Sequence, residues 1–85
     1  MVAASNTARG LLAFNVRRIR RERGLTQETL SHLSGATQGH VSEIESGKRN
    51  ASVDLIGAIA SSLGVPVAEL FQERGAASDV HAVRG

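Results

Sequence analysis

The chain has 85 residues, a formal net charge of +2, no cysteine, and Phe14 and Phe71 as its only aromatics. This length suits one domain, and because 12 of the hydrophobic residues are alanines its core must be built from Leu, Ile and Val. The lack of cysteine excludes a disulfide scaffold, a thiol nucleophile and a cysteine-ligated metal, and the apolar runs are too short for a membrane span.

In chain order, residues 1–7 are small or polar and read as a flexible N-terminal arm, followed by a domain over 8–74 and a short C-terminal tail over 75–85. The first helical segment places Leu12, Val16 and Ile19 on one side and Arg17, Arg18 and Arg21 on the other. Phe14 falls opposite Leu12 and Ile19, as a surface aromatic under the tail or part of a subunit contact. Thr26 can cap a second segment with Leu30 and Leu33 facing inward, and Thr37 a third with Val41 and Ile44 inward. Neither has Glu or Gln three residues on, so the reciprocal capping box is absent. Ser52 can cap a fourth, with Asp54 near its positive end and Leu55, Ile56, Ile59 and Leu63 as its apolar arc. Pro66 opens a short fifth segment that ends at Leu70 and Phe71. Gly24, Gly35, Gly47 and Gly64 each follow one of the first four segments, where a left-handed residue is expected. The reading is an all-α, compact five-helix domain, with helices of roughly 8 to 15 residues and very short joints.

Charge divides along the chain. Residues 17–49 balance at +3, whereas residues from 50 onward balance at −2, which favours a polyanion held by one face. In the third segment, Gly39, Ser42, Glu43 and Ser46 point away from the Val41/Ile44 strip, with Gln38 on the flank. Such a narrow polar ridge fits a major groove about 12 Å wide. Gln38 can pair with adenine N6 and N7, Glu43 can accept from cytosine N4, Ser42 can reach base edge or phosphate, and Gly39 allows close backbone approach. Gln27, at the start of the second segment, sits beside a phosphate seat, while Lys48, Arg49 and Asn50 can clamp the backbone on the other side. Arg17 and Arg21 add positive potential.

The stretches "VRRIRRERGLTQETLSHLSG" (16–35), "TQGHVSEIESGKRN" (37–50) and "SVDLIGAIASSLGVPVAELF" (52–71) resemble the helix-turn-helix domain of Cro/C1-type (XRE family) phage repressors. This resemblance implies a lambda-repressor-like DNA-binding domain, a non-catalytic role and operator binding as a two-fold dimer. Helix 27–34 would position and helix 38–45 would read. It also assigns Gln27 to phosphate, Gln38 to a base, and Arg20 and Glu45 to a salt bridge linking the first helix to the end of the third. Ser31 departs from the family's usual Ala, which would loosen or shift the packing of the second and third helices. Ala51 departs from a frequent Pro, and Gly39–His40 identifies no particular operator.

His32, His40 and His81 form no metal-ligand pattern, no phosphate-binding glycine loop is present, and no cofactor or enzymatic activity is expected. One helix-turn-helix offers few base contacts, so a homodimer on an inverted repeat is expected, with Phe14, Val53, Val67 and Phe71 as interface candidates. With so short a tail after residue 71, no internal ligand-sensing domain is expected. The leading reading is a small cytoplasmic transcriptional regulator of double-stranded DNA, a phage-type repressor or a restriction–modification controller, nucleoid-associated when bound. Two alternatives stay open: an antitoxin with a separate protein partner, and an interaction adaptor that keeps the fold without DNA contacts.

Overall fold

The computed structural model describes residues 7–73. The tail expected at 75–85, and the arm expected at 1–7 apart from Thr7, lie outside them. Four α-helices follow in order, α1 (Ala8–Glu22), α2 (Gln27–Ser34), α3 (Gln38–Glu45) and α4 (Val53–Leu63), and then a 3₁₀ helix, Val67–Phe71. The architecture is all-α and lambda-repressor-like, as the sequence predicts. The fifth element lies where the short segment after Pro66 is expected, as a 3₁₀ helix of 5 residues, below the 8 to 15 residues expected of the helices in general. Pro66, in extended conformation, stands just before it.

Each α-helix begins at a hydroxyl. Thr7, Thr26, Thr37 and Ser52 accept the backbone N–H of Gly10, Thr29, His40 and Leu55, each at 3.0 Å. The far ends use left-handed glycines. At Gly47 (φ +77°) the N–H of Gly47 reaches Ile44 O at 3.1 Å and that of Lys48 reaches Glu43 O at 2.9 Å. This paired closure turns the chain back along the helix it has just left, a reversal that an L side chain would disfavour.

The core comprises Leu12, Val16 and Ile19 from α1, Leu30 from α2, Val41 and Ile44 from α3, Ile59, Ala60 and Leu63 from α4, and Leu70. Burying each of the large side chains contributes about 1.5–3 kcal/mol. α3 packs on α1 and α2, α2 packs on α4, and the 3₁₀ helix lies against α1 and α4. The two helices of the helix-turn-helix therefore lean on different supports.

Leu33 is a correction. Expected inward, it is 58% exposed, while Leu30 is completely buried and Ser31 nearly so. At 100° per residue, Leu30, Ser31 and Ser34 share one arc, and Leu33 lies about 110° from its centre. The small Ser31 lets α2 roll that side inward, and its hydroxyl donates to Glu28 O at 2.6 Å, so no polar group is stranded.

Two polar contacts fasten the ends. Asn15 is 1% exposed, and its Nδ2 donates to the carbonyls of Leu11, Leu70 and Gln72 at 3.0, 3.1 and 2.9 Å. Arg23 Nε donates to Leu63 O at 2.8 Å, joining the end of α1 to the end of α4.

Candidate nucleic-acid interface

α3 is docked by Val41, Ile44 and Glu45, all buried, so its opposite side is available. Gln38, Gly39, Ser42 and Glu43 are exposed along that side, with Ser46 continuing the ridge past the helix end. Apart from the adjoining residues and the helix's own backbone, nothing lies within 4 Å of the place a Cβ would occupy on Gly39, so the ridge is bare there by composition and not because a neighbour demands it.

An open depression runs beside this ridge, lined by Arg17, Arg20, Arg21, Gln27, Ser42, Glu45 and Ser46. It brings together residues from α1, the start of α2 and the outer side of α3. Its floor is a buried ion pair: Arg20 Nε donates to Glu45 Oε2 at 2.6 Å and Arg20 Nη2 to Oε1 at 3.0 Å. Arg20 Nη1 also donates to Leu25 O at 2.7 Å, so each guanidinium nitrogen has an acceptor. Glu45 holds the Arg20 guanidinium above its ordinary pKa, chiefly through this hydrogen bond, against the opposing effect of burial. Gln27 Nε2 donates to the same Glu45 Oε1 at 3.1 Å. The half-buried Gln27 amide is thus aimed by the pair that orients α3, with its second N–H left for another acceptor.

Arg17 and Arg21 are exposed at the rim. Among the described residues, neither has a carboxylate within ion-pair distance, and the same holds for Lys48. Arg18 differs, bridging Glu22 at 3.3 Å and donating to Asn15 Oδ1 at 3.0 Å. Arg17 and Arg21 thus bring two cations of α1 to the depression beside the ridge.

On the other flank, Lys48, Arg49 and Asn50 are exposed in the loop after Gly47. The turn at Gly47 brings Arg49 back to α3, where its Nε donates to Glu43 Oε1. Arg49 holds the Glu43 carboxyl below its ordinary pKa, first by this hydrogen bond and then by its charge, with His40 and Lys48 adding smaller effects. Asn50 Oδ1 accepts from Arg9 Nη2 at 2.6 Å. Arg9 also lines a second depression with Leu12, Arg49, Asn50, Ile56 and Phe71.

Residues 16–70 match the helix-turn-helix family HTH_3. The chain belongs to this family. It is 44% identical over 62 residues, 73% of this chain and 80% of the relative, to the uncharacterised HTH-type transcriptional regulator y4dJ of Sinorhizobium fredii (strain NBRC 101917 / NGR234). The crystal structure of the restriction-modification controller protein C.AhdI from Aeromonas hydrophila is 38% identical, with a TM-score of 0.70 over 72% of this chain and 92% of that one. A hypothetical transcription factor, NHTF from Neisseria, superposes with a TM-score of 0.82 at 28% identity, covering 87% of this chain and 85% of that one. The chain is accordingly a DNA-binding transcriptional regulator of helix-turn-helix type.

The interface candidates for subunit pairing are spread over α1, α4 and the 3₁₀ helix. Phe14 is 36% exposed on α1, Val53 is 83% exposed at the start of α4, and Val67 is 46% exposed in the 3₁₀ helix. Phe71 is half-buried, in the seam beside Arg9 and Ile56. Sequence reasoning missed Arg9 at Asn50 and the Gln27–Glu45 tether, while Ser46, expected on the outward ridge, does line the depression beside it. The partners stand 41 and 18 residues apart in the Arg9 and Gln27 contacts, so no short-range pattern announces them. Among the described residues, no group of three or more His, Asp or Glu could hold a metal ion.

Proposed function

We propose that this regulator is sequence-specific for double-stranded DNA, and binds an inverted-repeat operator as a homodimer with α3 in the major groove of each half-site. The observation that carries the reading is the exposed polar face of α3 beside the aimed amide of Gln27 and beside Arg17 and Arg21, which have no carboxylate partner among the described residues. Gln38 reads adenine through its bidentate amide, Ser42 and Glu43 meet neighbouring base edges, and Gly39 lets the backbone come close. Gln27, Arg17, Arg21, Lys48, Arg49 and Asn50 engage phosphates and set position and salt dependence. Arg20 and Glu45 hold the angle at which α3 is presented.

Pairing follows from affinity. A single unit makes few base contacts, whereas specific sites are bound at about 10⁻⁸ M or tighter, so two recognition helices about 34 Å apart are needed. Phe14, Val53, Val67 and Phe71 are the apolar candidates for the subunit contact. Selection from random duplex DNA, footprinting of the winner and sedimentation of the complex test the proposal together. The expected result is a two-fold site with half-sites one helical turn apart and two chains per duplex. Failure to enrich any sequence, or one chain per selected site, would overturn it.

A further inference from the structure

We propose that Glu43 determines specificity by holding Arg49: the carboxylate keeps the guanidinium off the phosphates of a wrong duplex and surrenders it only where a base amine takes its place. This rests on the DNA-binding reading above and adds to it a reason why non-specific sites are refused.

The geometry carries the inference. Glu43 lies on the outward face of α3, and its backbone carbonyl accepts the Lys48 N–H in the closure at Gly47. That reversal places Arg49 alongside the ridge, where Nε meets Glu43 Oε1. Both side chains are about half exposed, 50% for Arg49 and 48% for Glu43, so solvent and DNA can reach them. The pair is local and weakly held, unlike the buried Arg20–Glu45 pair, and it can open without disturbing the core.

A duplex approaching α3 brings phosphates to Arg49 and base edges to Glu43. If Arg49 leaves for a phosphate, the Glu43 carboxylate is exposed to a polyanion unless a donor replaces the lost partner. Cytosine N4 is such a donor in the major groove. On a site that presents it, both charges exchange partners and nothing is left unpaired. On any other site the exchange leaves a carboxylate among phosphates, so Arg49 stays with Glu43 and contributes no phosphate contact. Selectivity thus comes from a penalty on wrong sites as well as a contact on the right one.

The full chain and its Glu43→Gln, Arg49→Ala and Glu43→Gln/Arg49→Ala variants are titrated with the selected operator and with a random duplex over a salt series. Helix content is checked for each by far-UV circular dichroism. On random duplex, Glu43→Gln is expected to steepen the log–log salt slope by about 0.9, one further phosphate contact. Lowering salt from 200 to 50 mM then gains it about 3.5-fold more affinity than the parent gains. On the operator its slope should match the parent's, so the ratio of operator to random affinity falls. In the Arg49→Ala background the Glu43 change should leave the random-duplex slope unchanged. An unchanged slope for the single variant overturns the inference, and so does an equal gain without Arg49, which would mark a general charge effect. If the parent binds neither duplex, the DNA-binding reading itself falls, and this inference with it.

Discussion

Glu45→Ala tests how the recognition helix is held. Glu45 accepts from Arg20 Nε, Arg20 Nη2 and Gln27 Nε2 at 2.6, 3.0 and 3.1 Å, and the Arg20 and Glu45 side chains are only 11% and 4% exposed. Truncation leaves a guanidinium in the interior with Leu25 O as its remaining acceptor. Breaking a buried pair from one side costs about 3–5 kcal/mol. A domain of this size holds roughly 3–10 kcal/mol in all, so the variant should lose about half its stability. Replacing both partners, Arg20→Met with Glu45→Leu, removes the desolvation burden along with the attraction and should restore most of that loss. Urea unfolding followed by far-UV circular dichroism reads both values, provided the slope against denaturant is unchanged. The double variant should nevertheless bind operator more weakly, because Gln27 has lost its anchor. A loss below about 1 kcal/mol for Glu45→Ala, as for an exposed pair, would refute the reasoning. A double variant as unstable as the single one would refute it equally.

Gln38→Ala should relax preference at one operator position by about 1–3 kcal/mol while leaving the melting curve in place, as competition between operator and single-base variants would show. Arg49→Ala should flatten the salt slope on the operator by about 0.9, read by anisotropy titration. Leu30→Ala should cost about 2–5 kcal/mol in urea unfolding, because Leu30 is completely buried between α2 and the rest of the core. The Glu43 carboxyl, followed by carbon NMR, should titrate below the ordinary carboxylate range and move upward in Arg49→Ala, since Arg49 is the main cause of the depression and His40 and Lys48 add less. A depressed pKa means that the pair contributes above the unfolded carboxyl's pKa and fades as pH falls through the folded value, so acid should mimic Glu43→Gln.

What was legible in the sequence is what short separations encode. Thr26, Thr37 and Ser52 each cap a donor three residues ahead, and Gly24, Gly35, Gly47 and Gly64 all take positive φ. The apolar arcs of α1, α3 and α4 are long or clean enough to give their inward sides. α2 is not: eight residues offer two plausible sides, and the choice of Leu33 over Ser31 depends on how closely a small residue lets its neighbours approach. The polar face of α3 followed from the position of Val41 and Ile44. The Arg49–Glu43 contact on that face did not, because Arg49 reaches Glu43 only after the chain reverses at Gly47. Arg9 with Asn50, and Asn15 with Leu70 and Gln72, join places 41, 55 and 57 residues apart, where side-chain type carries no address.

Asn15 has a mechanical consequence. Its amide grips the last turn, while Arg17 and Arg21 project from the far side of the same 15-residue helix. The turn from Leu70 to Gln72 is therefore registered against the cationic rim through one stiff rod about 22 Å long. Force applied at that turn would reach the groove-facing edge as a tilt or roll of α1. Cutting the amide, as in Asn15→Ala, would uncouple the two.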